Sequence, residues 1–226
     1  MASEAKLVVL SLGGSIVVPD AIDMQFLKEF RRFILDYLKK GYRFIIVVGG
    51  GKTCRNYQNA ANQISSADQI SLDWLGIQVN YLNAYLIKTI LGKGKIINNP
   101  ARDKPSGKVI LAFGTTPGRS SDYTAVLLAK SYSAKTIINI TNVDYVYTQD
   151  PKKHPDAEPI KQLAWKDYFE IIRTKWEPGL NTPFDPAASK LAQKMKIKVV
   201  ILSNDLKNIK AFLNKKPFKG TTIGNI

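Results

Sequence analysis

Five short apolar runs constrain this chain more than any other feature. They lie at residues 6–12 (KLVVLSL), 43–48 (RFIIVV), 108–113 (KVILAF), 136–141 (TIINIT) and 198–202 (KVVIL). None alternates apolar with polar, so each predicts a strand covered on both faces. Helical patterns follow every one of them, at residues 53–64, 72–91, 123–132, 163–174, 186–196 and 205–213, with the clearest after the first run. There Phe26, Leu27, Phe30, Phe33, Ile34, Tyr37 and Leu38 share one face, and Lys28, Arg31, Arg32, Asp36 and Lys39 take the other. Asp23 is a candidate N-cap and Gly41 a candidate stop. The aromatic face predicts packing on the chain's own sheet, or a contact between subunits. Strands alternating with helices predict an α/β fold: a three-layer α/β/α sandwich with a mainly parallel central sheet. No repeat or linker interrupts the chain, so residues 1–226 read as a single domain.

In such folds ligands sit beyond the C-terminal ends of the strands. Three of the runs end in glycine-rich or hydroxyl-rich loops: Gly13-Gly14-Ser15, Gly49-Gly50-Gly51-Lys52, and GTTPGRSSD at 114–122. Their convergence predicts one phosphate-rich ligand site. Familiar phosphate motifs fail. A P-loop ending at Gly51-Lys52 requires glycine where Ile46 stands, and a dinucleotide fingerprint requires it where Cys54 stands. The local physics still suits an anion, because glycines between strand and helix let backbone amides approach one closely. Lys52 adds a mobile charge and Arg55 a forked donor pair. The same glycines could simply make a tight turn with both cations solvated. Ser120, Ser121 and Asp122 suit either helix capping or ligand contact. Asp144 and Asp150 alone could be turn formers, and Lys190 alone a surface lysine.

Charge narrows the partners. Lys and Arg number 33 against 18 Asp and Glu, a formal net charge of +15. Residues 1–113 carry 15 basic and 8 acidic side chains, net +7, and residues 114–226 carry 18 and 10, net +8. The excess is diffuse, so no nucleic-acid partner is expected. The C-terminal cluster of Lys207, Lys210, Lys215, Lys216 and Lys219 reads as solvated surface. One cysteine, Cys54, and one histidine, His154, exclude an intrachain disulfide and His- or Cys-based metal clusters. No metal-ligating residues are expected. No run reaches the roughly 18 apolar residues of a membrane span, and the N-terminus lacks a signal-peptide layout. A cytoplasmic protein with no membrane partner is expected.

Taken in order, GGGKTCR at 49–55, DWLGIQVNYLNA at 73–84, GTTPGRSSD at 114–122, TNVDYVYTQDP at 141–151 and DPAASK at 185–190 resemble the amino acid kinase family. Within it the resemblance is to the UMP (uridylate) kinases of the archaeal type, and it extends from LSLGGS to GTTI at 220–223. It implies transfer of the ATP γ-phosphoryl to UMP with Mg²⁺, an acceptor half at about 1–135 and an ATP half at about 136–226. Gly49, Gly50, Gly51, Arg55, Asp73, Thr115, Ser120 and Ser121 would hold UMP. Gly13, Gly14, Thr141, Asn142, Asp144, Tyr147, Asp150 and Lys190 would hold ATP. Lys52, Asp122 and Lys190 would serve catalysis. A homohexamer built as a trimer of dimers is also implied. Another small-molecule kinase of the same fold, or a non-catalytic nucleotide- or oxyanion-binding relative, are the alternatives. Three positions depart from the pattern. Ser11 stands where many members have lysine, Tyr145 replaces a glycine, and Arg119 is an extra cation. Lys52 or Lys190 is expected to supply the charge missing at position 11.

Overall fold

The computed structural model describes residues 6–151, 153–174 and 182–225. The elements run β1 (Lys6–Leu12), α1 (Gly14–Val17), α2 (Met24–Lys39), β2 (Tyr42–Val48), α3 (Gly51–Ser65), α4 (Gln69–Leu91), β3 (Lys95–Ile96), β4 (Val109–Phe113) and α5 (Ser121–Ser131). They continue with β5 (Thr136–Thr141), β6 (Val146–Tyr147), β7 (Pro159–Ile160), β8 (Gln162–Ala164), α6 (Trp165–Thr174), α7 (Pro186–Lys194), β9 (Lys198–Ser203), α8 (Leu206–Leu213) and β10 (Thr221–Gly224).

Eight strands form one sheet in the order β3-β4-β2-β1-β5-β9-β10-β8. Only the β9–β10 pair is antiparallel. A small antiparallel hairpin of β6 and β7 stands apart. The pleat sends alternate side chains to opposite faces, and two cores result. Val8, Leu10 and Leu12 of β1 pack with α2, α4 and α8, burying Phe30, Phe33, Ile34, Ala84, Ile87 and Ile209. Val9 of the same strand packs with α5, α6 and α7, burying Ala125, Leu128, Trp165, Tyr168 and Ala188. Helices thus cover both faces of a mainly parallel sheet, as the uninterrupted apolar strands require. Ser11 falls on the Val9 face by the same alternation, which turns its hydroxyl toward α5.

All seven apolar residues of the α2 stripe are buried. Each Phe, Leu or Ile so buried contributes on the order of 1.5–3 kcal/mol. The Asp23 carboxylate caps the helix by accepting from the Phe26 amide at 2.9 Å, and Gly41, at φ +82°, ends it. The stripe packs inside the chain, so it is not a subunit contact.

The structure moves several boundaries. The strand expected from 108 begins at Val109, and the helix expected from 163 begins at Trp165 because residues 162–164 pair with β10. The helix expected to reach 196 stops at Lys194, and those expected from 53 and 72 begin at Gly51 and Gln69. At the end of the proline-containing stretch 150–159, Pro159 pairs with Tyr147. No helix among the described residues is long and apolar enough to cross a membrane.

Candidate active site

Strand register decides what meets at the sheet edge. Leu12 lies opposite both Val48 and Ile140, and Val48 lies opposite Phe113. The residues that follow are Gly13, Gly49, Thr141 and Gly114, so all emerge together beyond the C-terminal ends of four adjacent strands. The Gly13 amide donates to Ile140 O at 3.0 Å, and the Gly49 amide to Leu12 O at 3.1 Å.

The loops after β1 and β2 are in backbone contact. A Cβ on Gly14 would overlap the amides of Gly50 and Gly51, and one on Gly49 would lie 2.8 Å from the Gly14 amide nitrogen. Gly51 opens α3 at φ +67°, a conformation that favours glycine. Close packing of two loops therefore accounts for these glycines without any ligand. Two asparagines of α4, not anticipated as site residues, secure the arrangement. Buried Asn83 donates to Gly49 O at 2.8 Å and Gly50 O at 3.1 Å. A Cβ on Gly50 would lie 2.8 Å from Asn80 Oδ1, and one on Gly114 3.2 Å from its Nδ2. Amide side chains in the otherwise apolar stretch LGIQVNYLNA were the available signal.

Around this cradle stand the expected polar residues. Lys52 is half-buried and Arg55 exposed. Burial pushes the Cys54 thiol up, Arg55 opposes that shift and Asp73 reinforces it. Asp73 Oδ1 accepts from Gln69 Nε2 at 2.8 Å, and its Oδ2 accepts from the Gly118 amide at 2.6 Å. This last bond ties α4 to the loop carrying Thr115. Ser120 caps α5, its hydroxyl accepting from the Tyr123 amide at 3.2 Å. Ser121 differs, since its Oγ would be 3.4 Å from a Cβ on Gly49.

Asp122 links the halves of the cleft. It accepts from the Ser11 hydroxyl at 2.7 Å and from the Asp185 amide at 3.2 Å. Burial pushes its carboxyl up to about 6, against the lowering effect of both hydrogen bonds, and the nearby Asp185 charge raises it further. Neither Lys52 nor Lys190 pairs with it among the described residues. The hydroxyl of Ser11, itself 1% exposed, occupies the place expected of a lysine.

The remaining candidates are more open. Asn142 and Asp144 are exposed, while Thr141, Tyr147 and Asp150 are half-buried. The Tyr147 hydroxyl is raised by burial and by the neighbouring Asp144 and Tyr145. Tyr145 meets Tyr147 edge-on, with ring centroids 6.1 Å apart. Lys190 is exposed on α7, whose N-cap Asp185 accepts from the Ala188 amide at 2.7 Å. Among the described residues no group of three or more Asp, Glu, His or Cys side chains could hold a metal ion.

This geometry has a counterpart in known proteins. The sequence profile of the Amino acid kinase family matches residues 6–98 and 106–203. The chain belongs to the amino acid kinase family. Among relatives of this family, a uridylate kinase from Thermoplasma volcanium is 33% identical over 222 residues, spanning 96% of each chain. One from Methanocorpusculum labreanum is 34% identical over 226 residues, covering 96% of this chain and 95% of its own. The crystal structure of a uridylate kinase from Archaeoglobus fulgidus superposes with a TM-score of 0.82 at 31% identity, covering 97% of this chain and all of the other. An aspartate kinase from Synechocystis, at 18% identity and TM-score 0.74, shares the amino acid kinase fold over 40% of its own length.

Proposed function

We propose that this protein is a UMP kinase, transferring the γ-phosphoryl of ATP to UMP to give UDP and ADP in pyrimidine nucleotide synthesis. The observation that carries this reading is likeness to uridylate kinases along essentially the whole chain, at 33% identity over 96% of both partners. The site supports it. Arg55 of α3 and Asp73 of α4, a phosphate-gripping cation and a ribose-accepting carboxylate in this reading, both act electrostatically on Cys54, which neighbours Gly50 of the glycine cradle. A carboxylate acceptor has no ribose hydroxyls to offer Asp73.

Phosphoryl transfer proceeds through a loose transition state, so catalysis consists mainly of aligning two anions and neutralising charge. In this reading the acceptor half, about residues 1–135, presents UMP. The amides of Gly49, Gly50 and Gly51 face its phosphate, Arg55 grips it, Asp73 takes the ribose hydroxyls, and Thr115, Ser120 and Ser121 line the approach. The second half, about 136–226, presents ATP on Thr141, Asn142, Asp144, Tyr147 and Asp150, with Gly13 and Gly14 beneath its terminal phosphate. Lys52 and Lys190 neutralise the transferring group. Asp122 orients these cations. A UMP phosphate oxygen is already deprotonated, so the carboxylate need not act as a base. Among the described residues no acidic cluster could hold a metal by itself, so Mg²⁺ would enter with ATP and would supply charge neutralisation at the phosphates.

Helix α4 supports assembly into a hexamer of three dimers. It presents Ile70, Trp74, Tyr81, Leu82 and Tyr85 to solvent, and only Asp73 and Lys88 are charged along its 23 residues. A helix apolar on more than its core face calls for a second surface to cover it. A cytoplasmic location follows from a soluble nucleotide substrate. The deciding experiment is an ADP-release assay with UMP, CMP, acetylglutamate, aspartate and isopentenyl phosphate. Turnover dominated by UMP is expected, and turnover confined to a non-nucleotide acceptor overturns the reading.

A further inference from the structure

The loop between β4 and α5 carries a cation outside the set just described. Thr116-Pro117-Gly118-Arg119 is a type II turn. The Arg119 amide donates to Thr116 O at 3.1 Å, proline precedes glycine, and Gly118 sits at φ +72°. The Gly118 amide is also bound by Asp73. The turn is therefore fixed from two sides, and it delivers Arg119 to the α5 side of the cleft. There the guanidinium lies 4.6 Å from the ring centroid of Tyr123. Stacking of this kind leaves the in-plane N–H donors of arginine available. Among the described residues Arg119 has no carboxylate partner.

The groove beside it lies between α5 and α7 and has a volume of about 510 Å³. Arg119, Tyr123, Pro186, Lys190, Leu191 and Lys194 line it, three cations on apolar walls with no acidic residue in the lining. Such a groove suits a chain of phosphates better than an isolated side chain. It runs along α7 from Pro186 to Lys194, and Tyr123, the residue after Asp122, forms part of its wall. The first strand brings no cation to that carboxylate, because Ser11 is buried and already spends its hydroxyl there.

We propose that Arg119 is a donor-phosphate residue, which together with Lys190 grips the phosphate chain of ATP and supplies the positive charge that β1 does not. The proposal rests on reading the chain as an ATP-dependent kinase, and it assigns Arg119 to the donor rather than the acceptor. Arg55 and Asp73 stand on the α3–α4 side of the glycine cradle, whereas Arg119 shares its groove with Lys190 of α7. Lys190 and Arg119 thus reach one anion from two different elements. A guanidinium holds two phosphate oxygens in a fixed planar fork, whereas lysine acts as a point charge.

The test uses Arg119→Ala and Arg119→Lys in the full chain. Arg119 is exposed, so both variants are expected to keep the wild-type melting temperature. MgATP affinity is measured calorimetrically without any acceptor, then KM for ATP and for UMP are measured separately. Arg119→Ala is expected to weaken MgATP binding and raise KM for ATP by about 10- to 30-fold, with KM for UMP within about threefold. Arg119→Lys should recover part of the loss. Unchanged MgATP affinity in Arg119→Ala overturns the proposal, and so does a loss confined to KM for UMP. The binding arm needs no acceptor. A wild-type protein that binds MgATP but ignores UMP would sink the UMP reading, while the two variants would still decide the role of Arg119.

Discussion

Gly14 and Gly49 touch each other's backbone, whereas Asn142 and Asp144 stand in solvent at the same edge of the same sheet. The loop after β2 packs on the loop after β1 and is held by Asn83, and Asp73 ties α4 to the loop after β4. The segment after β5 is held farther along, where the Val146 amide donates to Thr221 Oγ1 at 2.8 Å and β6 pairs with β7. One side of the cleft is thus set by packing before any ligand arrives. The other leaves Asn142 and Asp144 exposed, where a ligand can reach them. Lost packing should show first in stability, and lost ligand contacts first in kinetics.

Gly14→Ala probes this contrast hardest. Its Cβ would meet backbone amides, which cannot swing aside as a side chain can. Destabilisation of about 3 kcal/mol or more is expected in urea melts, with activity lost alongside. Retained stability with lost activity would mean that the glycine serves the ligand and not the packing.

Asp122→Asn ranks next. The variant keeps the shape but not the charge, and turnover should fall about 100-fold. Stability should move the other way. The folded carboxyl titrates at about 6, above the ordinary unfolded value of about 3.9. The raised value favours the uncharged form, so the wild type is relatively most stable below pH 4 and loses that advantage as pH rises through 6. The loss is at most about 3 kcal/mol. Asp122→Asn should remove this fall, and parallel stability–pH curves for the two proteins would contradict the assignment.

Smaller effects are expected on the open side. Lys190→Ala removes an exposed side chain. KM for ATP should rise about tenfold, as expected for one charge-assisted contact, with no change in melting temperature. Gly41→Ala, remote from the cleft, is a control of opposite kind. Its Cβ would meet nothing within 4 Å, but φ is +82°. A cost of about 1 kcal/mol in urea melts with unchanged turnover is expected.

The five apolar runs and the α2 stripe carried the layered fold, because hydrophobic periodicity reports burial directly. The strands β3, β6, β7, β8 and β10 were not legible, being two to four residues long, too short to show a period. Ser120 was readable as a cap because capping is local, and the structure bears that reading out. The contact of Ser11 with Asp122 spans 111 positions and leaves no local trace. The charge expected from Lys52 or Lys190 also looks different once Arg119 is seen in the groove with Lys190.

The sequence by itself determined the layers, the strand edge that bears the loops, and which residue types gather there. These follow from short-range periodicity and from glycine's freedom to approach a neighbour. Only the tertiary structure decided that the glycines of two loops require each other, that the Asp122 carboxylate lies between Ser11 of β1 and the Asp185 amide before α7, and which cations share a groove. Those outcomes depend on strand order and helix packing between residues far apart in the chain, where no single segment holds the information.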